Sequence, residues 1–315
     1  MAGSLVGPRA LRLVLVARRS ANDEGDLRRI AAQIRREAPD VRPIVVRDRR
    51  QRLLRARLAL SPRPTLVYSA TALRDFRPPR GAVLQGARLS KVEELERLER
   101  AGIPVPRWRV LTREHTPDVS DFGPFVVMKP LIGARGADVR IVRRGRVRWL
   151  EPTTRLAART PRWIVQEYVH TGPWPRSHRV LTLCGNALYA YRAEADRSRE
   201  PIRDAADFGS GGRNIVASHK GCRLELCEDA DVIDLAQRAH AAFEGIPLLG
   251  VDILRDAATG RLYVIEVNPG GRVWGFSSRR GRAMQAALGQ PFDSQWNGLA
   301  RAARILVEET RRRAC

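Results

Sequence analysis

Asp252, Glu266 and Asn268 are the side chains of this sequence best placed to do chemistry together. They stand in the stretch Leu249 to Gly271, LGVDILRDAATGRLYVIEVNPGG, where two apolar runs flank a polar segment containing Asp256 and Gly260. That pattern predicts a β-hairpin with a loop longer than two residues. Glu266 and Asn268 are two apart and share a face of their strand. With the loop centred near Thr259, Asp252 falls opposite Glu266, and side chains paired in this way lie roughly 5 Å apart. Oxygen ligands gathered inside apolar strands are costly unless something neutralises them. A hard divalent cation would do so, since Mg2+ takes one or two carboxylates and fills its octahedron with water and nucleotide phosphate oxygens. For the hairpin taken alone, a solvated outer sheet face is an equally good reading.

Cationic chemistry is marked by scarcity. Only three lysines, Lys91, Lys129 and Lys220, occur in a chain with 57 basic residues. Among so many arginines, a lysine points to a place where a compact charge on a flexible stem is required and a planar fork does not fit. Lys129 ends the first apolar run of FVVMKPLIGARGADVRIV (125–142), which predicts a strand, a glycine-containing turn and a second strand. Gly133 and Gly136 allow a loop whose N–H groups fold over phosphates, with Arg135 adding charge; a plain hairpin turn is the competing reading.

These residues need a scaffold, and 315 residues with 43% hydrophobic content suffice for a sizeable core in two or three subdomains. No apolar stretch is long enough to span a bilayer. In the N-terminal MAGSLVGPRALRLVLVARRS, Arg9 and Arg12 interrupt the apolar part and Arg18 and Arg19 follow it, which predicts a first strand of a cytoplasmic protein and not a signal peptide. Cys184, Cys222, Cys227 and Cys315 show neither zinc-ligand spacing nor a disulfide framework, which fits a reducing compartment. The five histidines (115, 170, 178, 219 and 240) show no metal-binding pattern. A net charge of +23 suggests an acidic partner, but it is spread along the chain without aromatic interleaving. Nucleic acid is therefore not expected as partner. RDRRQRLLRAR (47–57) and Arg311 to Arg313 remain candidate surfaces for an acidic protein or peptide.

The elements follow in order. LRLVLVA (11–17), PIVV (43–46) and PTLVYSA (64–70) read as strands, with helices over 22–37 and 49–60 between them. This is a small parallel sheet, a Rossmann-like half without a glycine-rich dinucleotide fingerprint. Residues 71–90 read as a linker. In LSKVEELERLERAGIPVP, Ser90 and Glu93 form a capping box and Gly102 stops the helix. WIVQEYVHTG (163–172) is a further strand, and RVLTLCGNALYAYRAEA (179–195) two strands about a turn at Gly185 and Asn186. GSGGRNIVASHKG (209–221) reads as a loop carrying Arg213 and Asn214, followed by a helix over 230–243. A single long amphipathic helix, 293–313, closes the chain.

With these pieces in order, LSKVEELERLERAGIPVP, VVMKPLIGARG, VQEYV, RVLTLCGNALYAYR, GGRN, GVDIL and VIEVNPGG resemble the ATP-grasp superfamily, in particular the branch of the ribosomal-protein glutamate ligases (RimK-like). The resemblance runs from about Leu89 to Trp274. It implies an α/β (α+β) ATP-grasp fold with an N-terminal Rossmann-like pre-grasp domain. The implied division is residues 1–88, then a grasp domain over 89–315 whose subdomains meet at 165/166. It also implies roles. Lys91 and Lys129 match the phosphate-binding lysines, and Gly133 to Gly136 the loop closing over the triphosphate. Gln166, Glu167, Tyr168 and Val169 match the strand linking the two halves of the grasp, where the backbone of Glu167 and Val169 would read the adenine edge. Asp252, Glu266 and Asn268 match ligands of Mg2+, two ions, with Mn2+ able to replace it. Arg179 and Arg192, with Lys129, match the cations near the transferred phosphoryl, so that these three would be the catalytic groups. Arg213, Asn214, Gly270 and Gly271 match loops at phosphate or substrate. Relatives carry an acidic residue after the hinge for the ribose hydroxyls. HTGPWPRSHR has none, leaving Ser177, His178 or another residue to replace it.

The implied activity is an ATP- and Mg2+-dependent, ADP-forming ligase that joins a carboxylate to an amine through an acyl phosphate. An amino acid, a peptide or a protein side chain would serve as substrate. Two rivals use the same groups: an ATP-grasp phosphotransferase that makes no amide, and a noncatalytic nucleotide- or polyanion-binding protein. No Ser-His-Asp or Cys-His arrangement offers a nucleophile.

Overall fold

The computed structural model of the chain describes residues 10–17, 24–47, 63–73, 80–133, 138–155, 157–196, 222–270 and 273–314. The helix expected over 49–60 lies outside these residues. Strands β1 (Leu11–Ala17), β2 (Val41–Arg47), β3 (Thr65–Ser69) and β4 (Gly81–Gln85) form a wholly parallel sheet in the order β2-β1-β3-β4. Helix α1 (Glu24–Glu37) crosses from β1 to β2 and buries Leu27, Ile30, Ala31 and Ile34, the helical spacing read in the sequence. Pro43 is tolerated because β2 is an edge strand. β4 corrects the expected 71–90 linker. Its short run GAVLQ acquires strand conformation by pairing with β3, a tertiary gain that local propensity does not show. At the crossing only glycine fits, since a Cβ on Gly81 would stand 1.8 Å from the Thr65 carbonyl oxygen.

Helix α2 (Lys91–Arg100) opens on the predicted capping box. Ser90 Oγ accepts from the Glu93 N–H at 3.3 Å, and the Ser90 N–H donates to Glu93 Oε2 at 2.7 Å. Next come β5 (Trp108–Leu111), β6 (Phe125–Pro130), β7 (Arg140–Arg143) and β8 (Trp163–Glu167), an antiparallel sheet in the order β5-β8-β6-β7. Strands β9 (Arg176–Leu183), β10 (Asn186–Ala195), β11 (Cys222–Leu226), β12 (Leu248–Arg255) and β13 (Leu262–Pro269) form the third sheet, ordered β11-β10-β9-β12-β13. Helix α3 (Ala230–Ala241) covers one face of it, packing Val232, Leu235 and Ala239 with Val180, Val251 and Ile253.

The opposite face of that sheet offers Leu181, Tyr189 and Tyr191 to a core shared with Leu13, Leu15 and Ile30. Helices α4 (Arg279–Leu288), α5 (Asp293–Trp296) and α6 (Gly298–Arg313) end the chain, and Leu299, Leu306 and Val307 of α6 join the same core. The single helix expected over 293–313 is thus two. Asn297 adopts a left-handed conformation, φ +49°, and breaks it. α4 was not foreseen because arginines and a glycine mask its apolar positions. Among the described residues, no helix is long and apolar enough to cross a membrane.

Candidate active site

Register places Arg179, Asp252 and Glu266 side by side across β9, β12 and β13, so their side chains share one face. The Asp252–Glu266 pairing is the one read from the hairpin sequence. Asn268 lies two residues further along the same face and donates from Nδ2 to Asp252 Oδ2 at 2.9 Å. Arg179 grips both oxygens of Asp252 through Nε and Nη2.

A β-bulge shapes the rest. Pairing steps from Asp252–Glu266 to Ile253–Val264, which leaves Ile265 as the extra residue. An extra residue reverses the facing of everything beyond it. Val264 therefore packs into the core beneath α3, while Glu266 turns to the site. The Ile265 carbonyl, at the bulge, accepts from Lys129 Nζ at 2.9 Å.

Lys129 reaches across from the second sheet. At the end of β6 it shares a face with Gln166 of β8, whose Oε1 accepts from Nζ at 2.8 Å. Lys91, the first residue of α2 after the Ser90 cap, forms an ion pair with Glu266. One turn on, Glu94 turns inward and is buried. Two sheets and a helix thus bring two lysines, an arginine, three carboxyl groups and two amides into one cluster.

Burial and charge set the protonation of this cluster. Burial, aided by Lys91, pushes the Lys129 ammonium down to about 8. Burial also pushes the Glu94 carboxyl up to about 8, against the pull of Lys91. For Lys91 burial acts downward, but the Glu266 carboxylate holds it above the ordinary lysine value. For Glu266 burial acts upward, and Lys91 and Lys129 outweigh it to hold the carboxylate below its usual range. Desolvation likewise opposes the Arg179 charge, and Asp252 overrides it.

The donor set suits a hard cation: Asp252, Glu266 and Asn268 are oxygen ligands converging from adjacent strands, with no sulfur or imidazole among them. Among the described residues, Gln166 Nε2 is buried without a hydrogen-bond partner, beside the bond from Lys129 to the same amide. A ligand bearing an acceptor would satisfy it.

Other expected site residues lie elsewhere. Arg192 is a correction. On β10 it is Tyr191 that stands opposite Arg179, whereas Arg192 stands opposite His178 on the face that α3 covers, and it pairs with Glu225. His178 shares that face and is likewise removed from the Asp252 cluster. The Glu167 side chain is tied to Arg107, Tyr168 packs with Phe125 and Ile141, and Val169 is buried. Gly133 lies just beyond β6, and Gly270, φ +107°, ends β13. Arg135, Gly136, Arg213, Asn214 and Gly271 lie outside the described residues. Sequence reasoning missed Glu94 and Tyr191. The signal for Glu94 was its i,i+3 spacing from Lys91 on a helix; Tyr191 became visible only through the β9–β10 register.

A family model for the ATP-grasp domain matches residues 89–273. No curated protein sequence matches the chain. Among solved structures, the ATP-grasp ligase PsnB with precursor peptide PsnA2 and AMPPNP is similar at TM-score 0.54 and 18% identity, covering 95% of this chain and 98% of that one. PsnB with minimal precursor, Mg and ADP gives TM-score 0.52 and 16% identity over 95% of this chain and 97% of that one. A RimK-domain ATP-grasp protein from Sphaerobacter thermophilus DSM 20745 gives TM-score 0.46 and 18% identity over 94% and 99%. The family match runs from the residues that cap α2 to just past the end of β13, more than half of the chain and the part that carries the cluster of Lys91, Lys129, Arg179 and Asp252; the protein belongs to the ATP-grasp family.

Proposed function

We propose that the protein is an ATP- and Mg2+-dependent ligase that joins a carboxylate to an amine, forming an amide or peptide bond with release of ADP and phosphate. The observation that carries this reading is the convergence of Lys129, Lys91 and Arg179 on the Asp252, Glu266 and Asn268 cluster from two sheets and a helix. In this reading the substrate carboxylate attacks the γ-phosphorus of ATP, ADP leaves, and the amine then attacks the acyl phosphate and expels phosphate. Mg2+ held by Asp252, Glu266 and Asn268 would supply charge neutralisation at the phosphate oxygens.

The chain's own residues do the rest by position and charge. Lys91 and Arg179 now pair with the two carboxylates that would ligate the cation. With a cation on those carboxylates, Lys91 and Arg179 would be free to hold phosphate oxygens. Lys129, anchored by Gln166 and the Ile265 carbonyl, keeps one ammonium fixed between the two sheets. Residues 1–88 would serve as the pre-grasp domain and 89–315 as the grasp.

The PsnB structures contain precursor peptide, AMPPNP, Mg and ADP, which supports a nucleotide, Mg2+ and a peptide acceptor for a chain of this fold. The net charge of +23 favours an acidic peptide over a neutral one.

The test begins with thermal unfolding in the presence of ATP with Mg2+, ATP alone, and neither, because a ligand of the folded state raises stability by RT ln(1 + [L]/Kd). A metal-dependent rise is expected. Acidic peptides and amino acids are then supplied, and products are weighed by mass spectrometry. A new amide with free phosphate supports the ligase, whereas a phosphorylated product with no amide overturns it in favour of phosphotransfer.

A further inference from the structure

On the face of the third sheet turned away from the nucleotide cluster, His178, Cys227 and Asp229 come together. Their ligand atoms all lie within 4.8 Å of one another. They arrive from three elements: His178 from β9, Cys227 from just beyond β11, and Asp229 from the residue that precedes α3. We propose that His178 Nε2, Cys227 Sγ and the Asp229 carboxylate form a binding site for a zinc-class divalent cation, distinct from the Asp252, Glu266 and Asn268 cluster.

Several independent features point there. Asp229 holds the N-cap position of α3, yet its side chain makes no cap hydrogen bond. An aspartate at this position ordinarily accepts from the first turn, which contributes about 1 kcal/mol. Here its carboxylate instead faces His178 Nε2 and the Arg255 guanidinium, both at 3.6 Å, too long for hydrogen bonds. Arg255 is committed elsewhere, donating to both oxygens of Asp231 at 2.7 and 2.8 Å. Two further cations on this face are also committed, Arg192 to Glu225 and Arg176 to Glu194. The close side-chain partner of the Asp229 carboxylate is the Cys227 thiol, which donates to it, so the sulfur and the carboxylate already meet where a cation would replace the shared proton.

His178 is buried, and its ring is hydrogen-bonded to the Ile253 backbone on the neighbouring strand β12, the kind of contact that orients a ligating imidazole. A neutral imidazole is the form that ligates metals. Cys227 is 5% exposed, while Asp229 is open to solvent and offers an entry path.

One nitrogen, one sulfur and one carboxylate oxygen suit zinc and cobalt, and poorly suit Mg2+, which takes oxygen ligands. Tetrahedral coordination with bonds of about 2.0–2.3 Å places ligand atoms roughly 3.5 Å apart. Closing the present spread requires a shift of about 1.3 Å at most, and Asp229 is the ligand with the room to make it. Water would fill the fourth position. Binding exchanges the Cys227 thiol proton, released to solvent, for the cation. The consequence is structural: the cation would pin the start of α3 to β9 and β11.

The test uses the full chain, stripped with chelator and titrated with Co2+. A thiolate ligand gives a near-ultraviolet sulfur-to-cobalt charge-transfer band, which a cation at the all-oxygen cluster cannot produce. We expect that band to saturate at one equivalent, to be bleached by Zn2+ and to be unaffected by excess Mg2+. Cys227→Ala should abolish it while Cys184, Cys222 and Cys315 remain. Asp229→Asn, a change at an exposed position, should preserve the fold and weaken Co2+ binding by ~10-fold or more, the loss typical even of outer-shell partners. No band in the parent chain, an unchanged band in the folded Cys227 variant, or unchanged affinity in Asp229→Asn would each overturn the site.

Discussion

Lys129 is where residue chemistry most directly constrains function. Its ammonium fits between the Gln166 amide and the Ile265 carbonyl at 2.8 and 2.9 Å, a slot for a compact charge on a narrow stem. Lys129→Arg keeps the charge but cannot keep the fit, and we expect kcat/KM for ATP to fall by about 100-fold or more, as on losing a transition-state donor. Near-normal turnover would remove Lys129 from the site. Because its ammonium titrates near 8, nucleotide affinity should weaken as pH rises from 7 to 9, measured by calorimetric titration. Glu266→Gln should leave a folded chain, checked by circular dichroism, that no longer turns over ATP. Glu94 makes a separate prediction. Its folded value, about 8, lies above the ordinary 4.5, so the neutral carboxyl adds stability that is present below 4.5 and lost as pH rises to 8. Glu94→Gln cannot suffer that loss. Its stability relative to wild type should climb between pH 5 and 8, by at most about 1.4 kcal/mol per pH unit. Parallel urea midpoints for the two proteins across that range would refute the assignment.

At the scale of elements, the site depends on how α2 begins and where β13 bulges. The capping box fixes Ser90 and Glu93, and the residue between cap and first turn is Lys91 itself. Ser90→Ala should cost ~1 kcal/mol of stability. It should also raise the KM for ATP more than it lowers kcat, because the helix start that aims Lys91 at Glu266 frays. An unchanged KM with the expected loss of stability would separate the cap from the site. The bulge at Ile265 works differently. It lets one strand place Val264 in the core beneath α3 and Glu266 in the site, which uninterrupted alternation would forbid. The same irregularity turns the Ile265 carbonyl towards Lys129. Edges and bulges of sheets are where such re-aiming is found.

Across the whole molecule, one buried hydrogen bond ties the ends of the architecture together. Trp274 Nε1, just after the β12–β13 hairpin, donates to Asp26 Oδ2 of α1 at 2.8 Å. Trp274→Phe would leave a buried carboxylate oxygen without that donor and should cost ~2 kcal/mol, read as a lowered denaturation midpoint. By contrast, Asp40→Ala breaks only the exposed ion pair with Arg311 of α6 and should cost less than ~1 kcal/mol. Equal losses from the two changes would mean that the first sheet is not coupled to the grasp through Trp274. The shared core gives the reason to expect coupling, since residues of β1, α1, β9, β10 and α6 pack as one cluster.

Much of this was legible in the order of residues. Alternation and turn chemistry are local, so the hairpin, its Asp252–Glu266 register, the capping box at Ser90 and the strand ending in Lys129 could all be read from the chain. The scarcity of lysine singled out Lys91 and Lys129. What the tertiary structure alone decided depends on which distant strands pair and on which face each side chain emerges. Pairing with β3 made a strand of 81–85, and an αL residue at Asn297 split a helix whose periodicity ran unbroken. The β9–β10 register sent Arg192 to the face opposite Arg179. It also brought His178 to Cys227 and Asp229, residues about 50 positions away along the chain whose spacing carries no ligand pattern. A one-residue difference in register reverses every facing along a strand, and that information resides in contacts between segments, not within them.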